Sequence, residues 1–153
     1  MTSLLRRIGR LVRTRRSSAP AAGQAPVRIT YSPAADGDAD PGEVVWAWVP
    51  FEEDDGRGKD RPVLVVGREG RRLVALPMTS QDNTRDADRE AHFGRHWFDV
   101  GSGPWDSRGR PSEVRLDRVL RLDPAAVRRE GARLDRARFD AVAVELRRLH
   151  GWG

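Results

Sequence analysis

The chain has no cysteine. That excludes disulfides and thiolate metal sites, and it fits a reducing compartment. No apolar run approaches the ~20 residues that span a bilayer. The N-terminus also lacks the long apolar stretch and cleavage site of a secretory leader, so the expected location is cytoplasmic. Lysine is almost missing: of 28 basic residues only Lys59 is a lysine, and the rest are arginine. Beside abundant Ala, Gly and Asp, this excess reads as coding bias as readily as function, so it carries little weight as a sign of nucleic acid. Charge is also unevenly spread. Residues 1–40 hold seven Arg against three Asp (+4), whereas 41–153 hold 21 basic against 20 acidic residues (+1). At 153 residues there is room for one domain with a real core, not for two sizeable ones.

What is present centres on Gly58–Asp82, GKDRPVLVVGREGRRLVALPMTSQD. Two apolar runs, Pro62–Gly67 and Leu73–Leu76, flank an Arg-Glu-Gly-Arg-Arg turn. Branched valines and turn glycines make this a β-hairpin. Arg61 stands just before its first strand, and Thr79, Ser80 and Gln81 stand just after its second. Antiparallel pairing puts the start of one strand beside the end of the other. A guanidinium therefore meets two hydroxyls and an amide, a donor set suited to phosphate.

The flanks read as follows. Leu4, Leu5, Ile8, Leu11 and Val12 have helical spacing with Arg between them. This basic amphipathic segment, residues 3–16, leaves several readings open: a frayed extension, or contact with a membrane, nucleic acid or a partner. Residues 17–41 are linker-like, with a short edge strand at Val27–Tyr31, and the domain boundary is expected near Asp40. The expected division is 1–40 as basic segment and flexible linker, and 41–153 as the folded domain. Glu43–Pro50 is a strand with Trp46 and Trp48 on one face. At least one of these is expected in the core, while one at the site could stack a base. Phe51–Lys59 is a loop whose four consecutive acids, Glu52 to Asp55, belong in solvent. Gln81–Arg95 reads as a long loop with room for one helical turn.

A strand is expected over Arg95–Gly101, then short strands at Ser112–Leu116 and Arg118–Leu122. Asp123-Pro124 opens a short helix over Pro124–Arg129. Asp135 caps a final helix, Arg136–Leu149, with Phe139, Val142, Leu146 and Leu149 as its apolar stripe, and Gly151 ends it. His92 and His96 have the spacing of a helical metal pair, but Gly94 interrupts them and no third ligand is evident, so no metal or cofactor is expected. The residues alone imply a small, mostly antiparallel barrel with helices at its edge.

RPVLVV followed by ALPMTSQD resembles the PemK/MazF toxins of type II toxin–antitoxin systems. The pattern falls on Gly58, Arg61 and Pro62, then on Pro77, Thr79 and Ser80, and again on Ser112, Val114, Asp117 and Val119 in SEVRLDRVLRLD. The resemblance covers roughly residues 42–150. It implies an α+β, mainly β fold: an SH3-like antiparallel β-barrel with a C-terminal helix, assembled as a homodimer. It also implies a metal-independent endoribonuclease that cuts single-stranded RNA (mRNA) and is blocked by a cognate antitoxin peptide. Arg61 and Thr79 are then the catalytic pair, with Ser80, Gln81, Lys59 and Trp46 as substrate-binding companions. Arg61 suits phosphorane stabilisation rather than proton donation, and Pro62 restrains it to extended backbone. The loop before Arg61 departs from the family, so the general base stays open among Asp54, Asp55, Asp60 and His96. Two alternatives remain on the same barrel: a non-catalytic RNA- or protein-binding module, favoured by the acidic loop, and a gyrase-inhibiting toxin.

Overall fold

The computed structural model describes residues 27–34, 39–52 and 56–153. The basic segment 3–16 and the acids Glu53, Asp54 and Asp55 lie outside the described residues. Eight strands form one antiparallel sheet: β1 (Arg28–Ile29), β2 (Glu43–Pro50), β3 (Gly58–Glu69), β4 (Arg72–Thr79), β5 (Trp97–Gly101), β6 (Ser112–Arg115), β7 (Leu120–Leu122) and β8 (Arg128–Arg133). A six-residue helix α1 (Ala87–His92) precedes β5, and α2 (Arg136–His150) ends the fold. The strand path runs β5-β6-β4-β3-β2-β8, with β1 added to β3 and β7 to β4. The fold is mainly β, as expected, but among the described residues β5 and β8 do not pair. The sheet curls without closing into a full barrel.

The hairpin is the spine. β3 and β4 pair with Glu69 opposite Arg72, and the turn between them uses Gly70 at φ +60°. Each long strand changes partners along its outer edge. β3 pairs first with β2 and then with β1; β4 pairs first with β7 and then with β6. A bulge between Val65 and Gly67 shifts the register and helps bend the sheet.

Both faces of the spine are buried, which is why its apolar runs are continuous rather than alternating. Leu64, Val66, Val74, Leu76 and Met78 join a core completed by Phe139, Val142 and Leu146 of α2. Val63, Val65, Leu73 and Ala75 join a second core with Val45, Ala47 and Val49. β2 spends its Val45/Ala47/Val49 face on that second core. Its other face carries Trp46, half-buried, and Trp48, 54% exposed. Neither tryptophan is a buried core residue, contrary to the expectation from their pairing on one face.

Two helical expectations change. Asp123 does accept a hydrogen bond from the Ala125 amide at 2.9 Å, but the helix stops after one 3-10 turn, Pro124–Ala126. Arg128–Arg133 is instead β8, because the ladder to β2 (Val45 to Arg129, Trp46 to Arg128) overrides local propensity. α2 forms as expected, with Asp135 accepting from the Arg138 amide at 3.1 Å and Gly151 in the left-handed region at φ +72°. Phe139, Val142 and Leu146 are buried, whereas Leu149 is largely exposed in the last turn.

Candidate functional site

The register of the hairpin places the central pair. The β3–β4 ladder ends at Val63 opposite Pro77, and continuing its register by two residues brings Arg61 toward Thr79, beyond the last paired position. Arg61 is still held on its other side by Ala47 of β2, and Thr79 is held by Glu113 of β6. The two side chains are thus presented from backbone that is paired on its far edge and open between them.

Two clefts meet at this point, and both are lined by Arg61, Met78 and Thr79. The first, about 430 Å³, also takes in Gln81, Phe51, Trp97 and three further arginines. The second, about 310 Å³, takes in Lys59, Trp46, Ser80, Asp60 and Glu130. All six residues singled out from sequence therefore line one of two adjoining clefts. Trp46 is crossed by the Arg128 guanidinium at 5.9 Å from its ring centre. Among the base candidates, Asp60 lines the second cleft but is paired with Arg128 at 2.7 Å. His96 lines neither cleft. Asp54 and Asp55 lie outside the described residues. Among the described residues no three His, Asp or Glu side chains gather as a metal site.

Thr79 is oriented by a local turn. Its Oγ1 accepts a hydrogen bond from the Gln81 amide at 3.1 Å, which leaves the hydroxyl proton free to be donated into the cleft. Arg61 is half-buried and, among the described residues, its side chain has no hydrogen-bond or ion-pair partner. Burial, and then the nearby charge of Arg118, lower its pKa from the usual arginine value.

The wall of the first cleft was not legible in the sequence. Arg115, 8% exposed, reaches both oxygens of Glu52 at 2.6 and 2.9 Å and both of Asp117 at 2.8 to 3.0 Å. Burial alone would depress its pKa, but the hydrogen bonds it donates to the two carboxylates raise it instead. The Arg115 hydrogen bond holds Glu52 below the usual carboxylate range against a smaller opposing cost of burial. Glu52 is exposed to solvent, as expected, but its carboxylate is also fixed to the cleft wall by Arg115. Glu90 of α1 accepts two hydrogen bonds from Arg95 at 2.9 Å and one from the Trp97 indole at 2.9 Å, which hold its carboxyl down to about 2. Arg118 donates to the Pro50 carbonyl. Asp117 belonged to a recognised strand pattern, but no spacing rule links Arg115 to Glu52, 63 residues earlier.

A family described as PemK-like, MazF-like toxin of type II toxin-antitoxin system matches residues 40–150 by its sequence profile. The fold is similar to a crystal structure of MazE-MazF (Form-II) from Deinococcus radiodurans, with a TM-score of 0.53 and 21% identity over 77% of this chain and 100% of that one. Form-III of the same complex gives 0.50 and 20%, over 74% and 97%. No curated protein sequence matches the chain.

Proposed function

The chain belongs to the PemK-like, MazF-like toxins of type II toxin–antitoxin systems, and from that premise we propose that it is an endoribonuclease acting on single-stranded RNA. The observation that carries this reading is the meeting of Arg61 and Thr79 at the junction of two clefts. A strand running from one cleft into the other would lay a phosphate across the pair.

In the reaction the ribose 2′-oxygen attacks the adjacent phosphorus and the bond to the 5′-oxygen breaks. The 2′ proton leaves, and a proton arrives at the departing 5′-oxygen. The products are a 2′,3′-cyclic phosphate and a 5′-hydroxyl. Arg61 meets the phosphorane oxygens with charge-assisted donors, at a half-buried position where a charge counts for more than in water. The free hydroxyl proton of Thr79 adds a donor to the same oxygens or orients the 2′-oxygen. Lys59 and Ser80 line the path of the flanking backbone, Gln81 lines the first cleft, and Trp46 offers an aromatic face to a neighbouring base. A cognate antitoxin peptide would compete for the same clefts, as a MazE partner accompanies the MazF chains of Deinococcus radiodurans. A homodimer is the expected assembly within the family, and the cytoplasm is where the mRNA substrate resides.

The test is incubation of the purified chain, with chelator, with a long unstructured RNA, followed by mapping of new ends. Arg61→Ala and Thr79→Ala proteins run beside it. Discrete cuts ending in 2′,3′-cyclic phosphate, reduced about 10²–10³-fold by either change, support the reading. A folded, antitoxin-free chain that leaves the RNA intact overturns it.

A further inference from the structure

Arg118 follows β6, in the turn that leads to β7, and lines the first cleft with Arg61. The charges around it are unequally matched. Of the four arginines on that wall, Arg95 is neutralised by Glu90, and Arg115 by Glu52 and Asp117. Arg61 and Arg118 have no such partner among the described residues. Glu52 also feels Arg118, but both its oxygens are spent on Arg115. Arg118 uses one donor on the Pro50 carbonyl, which anchors its head and leaves further N–H groups for a ligand.

Two half-buried like charges that feel each other are unfavourable in the empty cleft, because each loses water and repels the other. The contact becomes favourable when an anion lies between them. Arginine suits that task, since its planar fork matches tetrahedral oxyanions.

We propose that Arg61 and Arg118 form a two-cation site for one phosphate group, and that Arg118 is the second guanidinium on the scissile phosphate. The proposal rests on the ribonuclease reading for the identity of the phosphate, but not for the existence of the anion site. The charge balance explains the second cation. A phosphodiester carries one negative charge, and the phosphorane formed by 2′-oxygen attack gains a second before the 5′-oxygen leaves. Arg61 alone matches the ground state, while the pair matches the charge that develops in the transition state. Arg118 therefore acts more on kcat than on KM.

The test compares wild type with Arg118→Gln and Arg118→Lys. Glutamine keeps an amide donor for Pro50 and removes the charge, while lysine restores the charge without the fork. Thermal melting checks that each variant folds. Two readouts are taken: cleavage kinetics on RNA, and titration with inorganic phosphate followed through arginine Nε–H resonances. In wild type, phosphate is expected to shift the signals of both Arg61 and Arg118, and in Arg118→Gln to bind several-fold more weakly. Cleavage by Arg118→Gln is expected to lose about 10²-fold in kcat with a smaller change in KM, with partial recovery in Arg118→Lys. The slope of log affinity for single-stranded RNA against log salt should fall by about 0.7. An Arg118→Gln protein that cleaves and binds phosphate like wild type overturns the second cation and leaves the ribonuclease reading standing. A wild type that cuts no RNA, yet shows phosphate at both arginines, supports the anion site and overturns the ribonuclease reading.

Discussion

Arg115→Met tests the reading of the cleft wall through stability alone. Arg115 makes five hydrogen bonds of 2.6 to 3.0 Å to two carboxylates. Removing one member of a buried ion pair typically costs ~3–5 kcal/mol, because the partner is left charged and dry. Here the partners are not equally dry. The Glu52 side chain is 50% exposed and can rehydrate in place, whereas that of Asp117 is 18% exposed. Asp117 also keeps the His96 amide at 2.6 Å. We therefore expect about 1 kcal/mol or less from Glu52 and about 2 kcal/mol from Asp117. The sum is about 2–3 kcal/mol, or a fall in Tm of about 6–9 °C for a chain of this size.

The assay is urea and thermal unfolding of Arg115→Met, alone and combined with Glu52→Gln or Asp117→Asn, read as double-mutant cycles. The Asp117 coupling should exceed the Glu52 coupling. The pH dependence has a definite sign. The folded pKa of Glu52 is depressed below the ordinary glutamate value, chiefly by its hydrogen bond from Arg115, so its contribution is full above the ordinary value and is lost as pH falls through the folded one. The gap between wild type and Arg115→Met should narrow below about pH 4.5. An Arg115→Met protein as stable as wild type refutes the reasoning, as does a Glu52 coupling larger than that of Asp117.

Further outcomes follow from other contacts. A Cβ at Gly67 would lie 2.1 Å from the Arg28 carbonyl oxygen, so Gly67→Ala should force β1 off β3. Hydrogen exchange at the Thr30 amide, bonded to the Val66 carbonyl, would then accelerate, and stability would fall by about 1–3 kcal/mol. Phe139, on the inner face of α2, is 2% exposed, and Phe139→Ala should cost about 3–5 kcal/mol in urea unfolding. The Glu90 carboxyl, held to about 2 by Arg95 and Trp97, keeps its stabilising contact above the ordinary carboxylate range and loses it only as pH falls through that value. The Trp97 indole N–H resonance should therefore show no titration step near 4.5.

The residues that could be read from sequence are those whose role is decided locally. The hairpin follows from its valine runs and its glycine turn. The turn pairs Glu69 with Arg72, but that register alone would carry Arg61 to Ser80; the bulge between Val65 and Gly67, which no local pattern announces, shifts it by one so that its continuation brings Arg61 to Thr79. α2 follows from Asp135, the Phe139–Leu146 stripe and Gly151. Trp46 falls on the face that the strand alternation assigns it, but that face lines a cleft rather than a core. The strand pattern does not say where a covering element ends. The helix expected over Pro124–Arg129 stops after Ala126, because Arg128 and Arg129 join the ladder to β2, a partner more than 80 residues earlier in the chain.

The tertiary structure alone decided the electrostatics of the clefts. Arg115 and Arg118 sit in a segment whose alternation says strand and nothing more. Their meaning comes from which carboxylates pair with them: Glu52 from a loop 63 residues away joins Arg115, while among the described residues none forms an ion pair with Arg118. Propensity, capping and turn chemistry act over a few residues, so one sequence window contains their whole cause. An ion pair, or its absence, depends on two backbone segments converging to within a few ångströms, and only the packed sheet determines that distance.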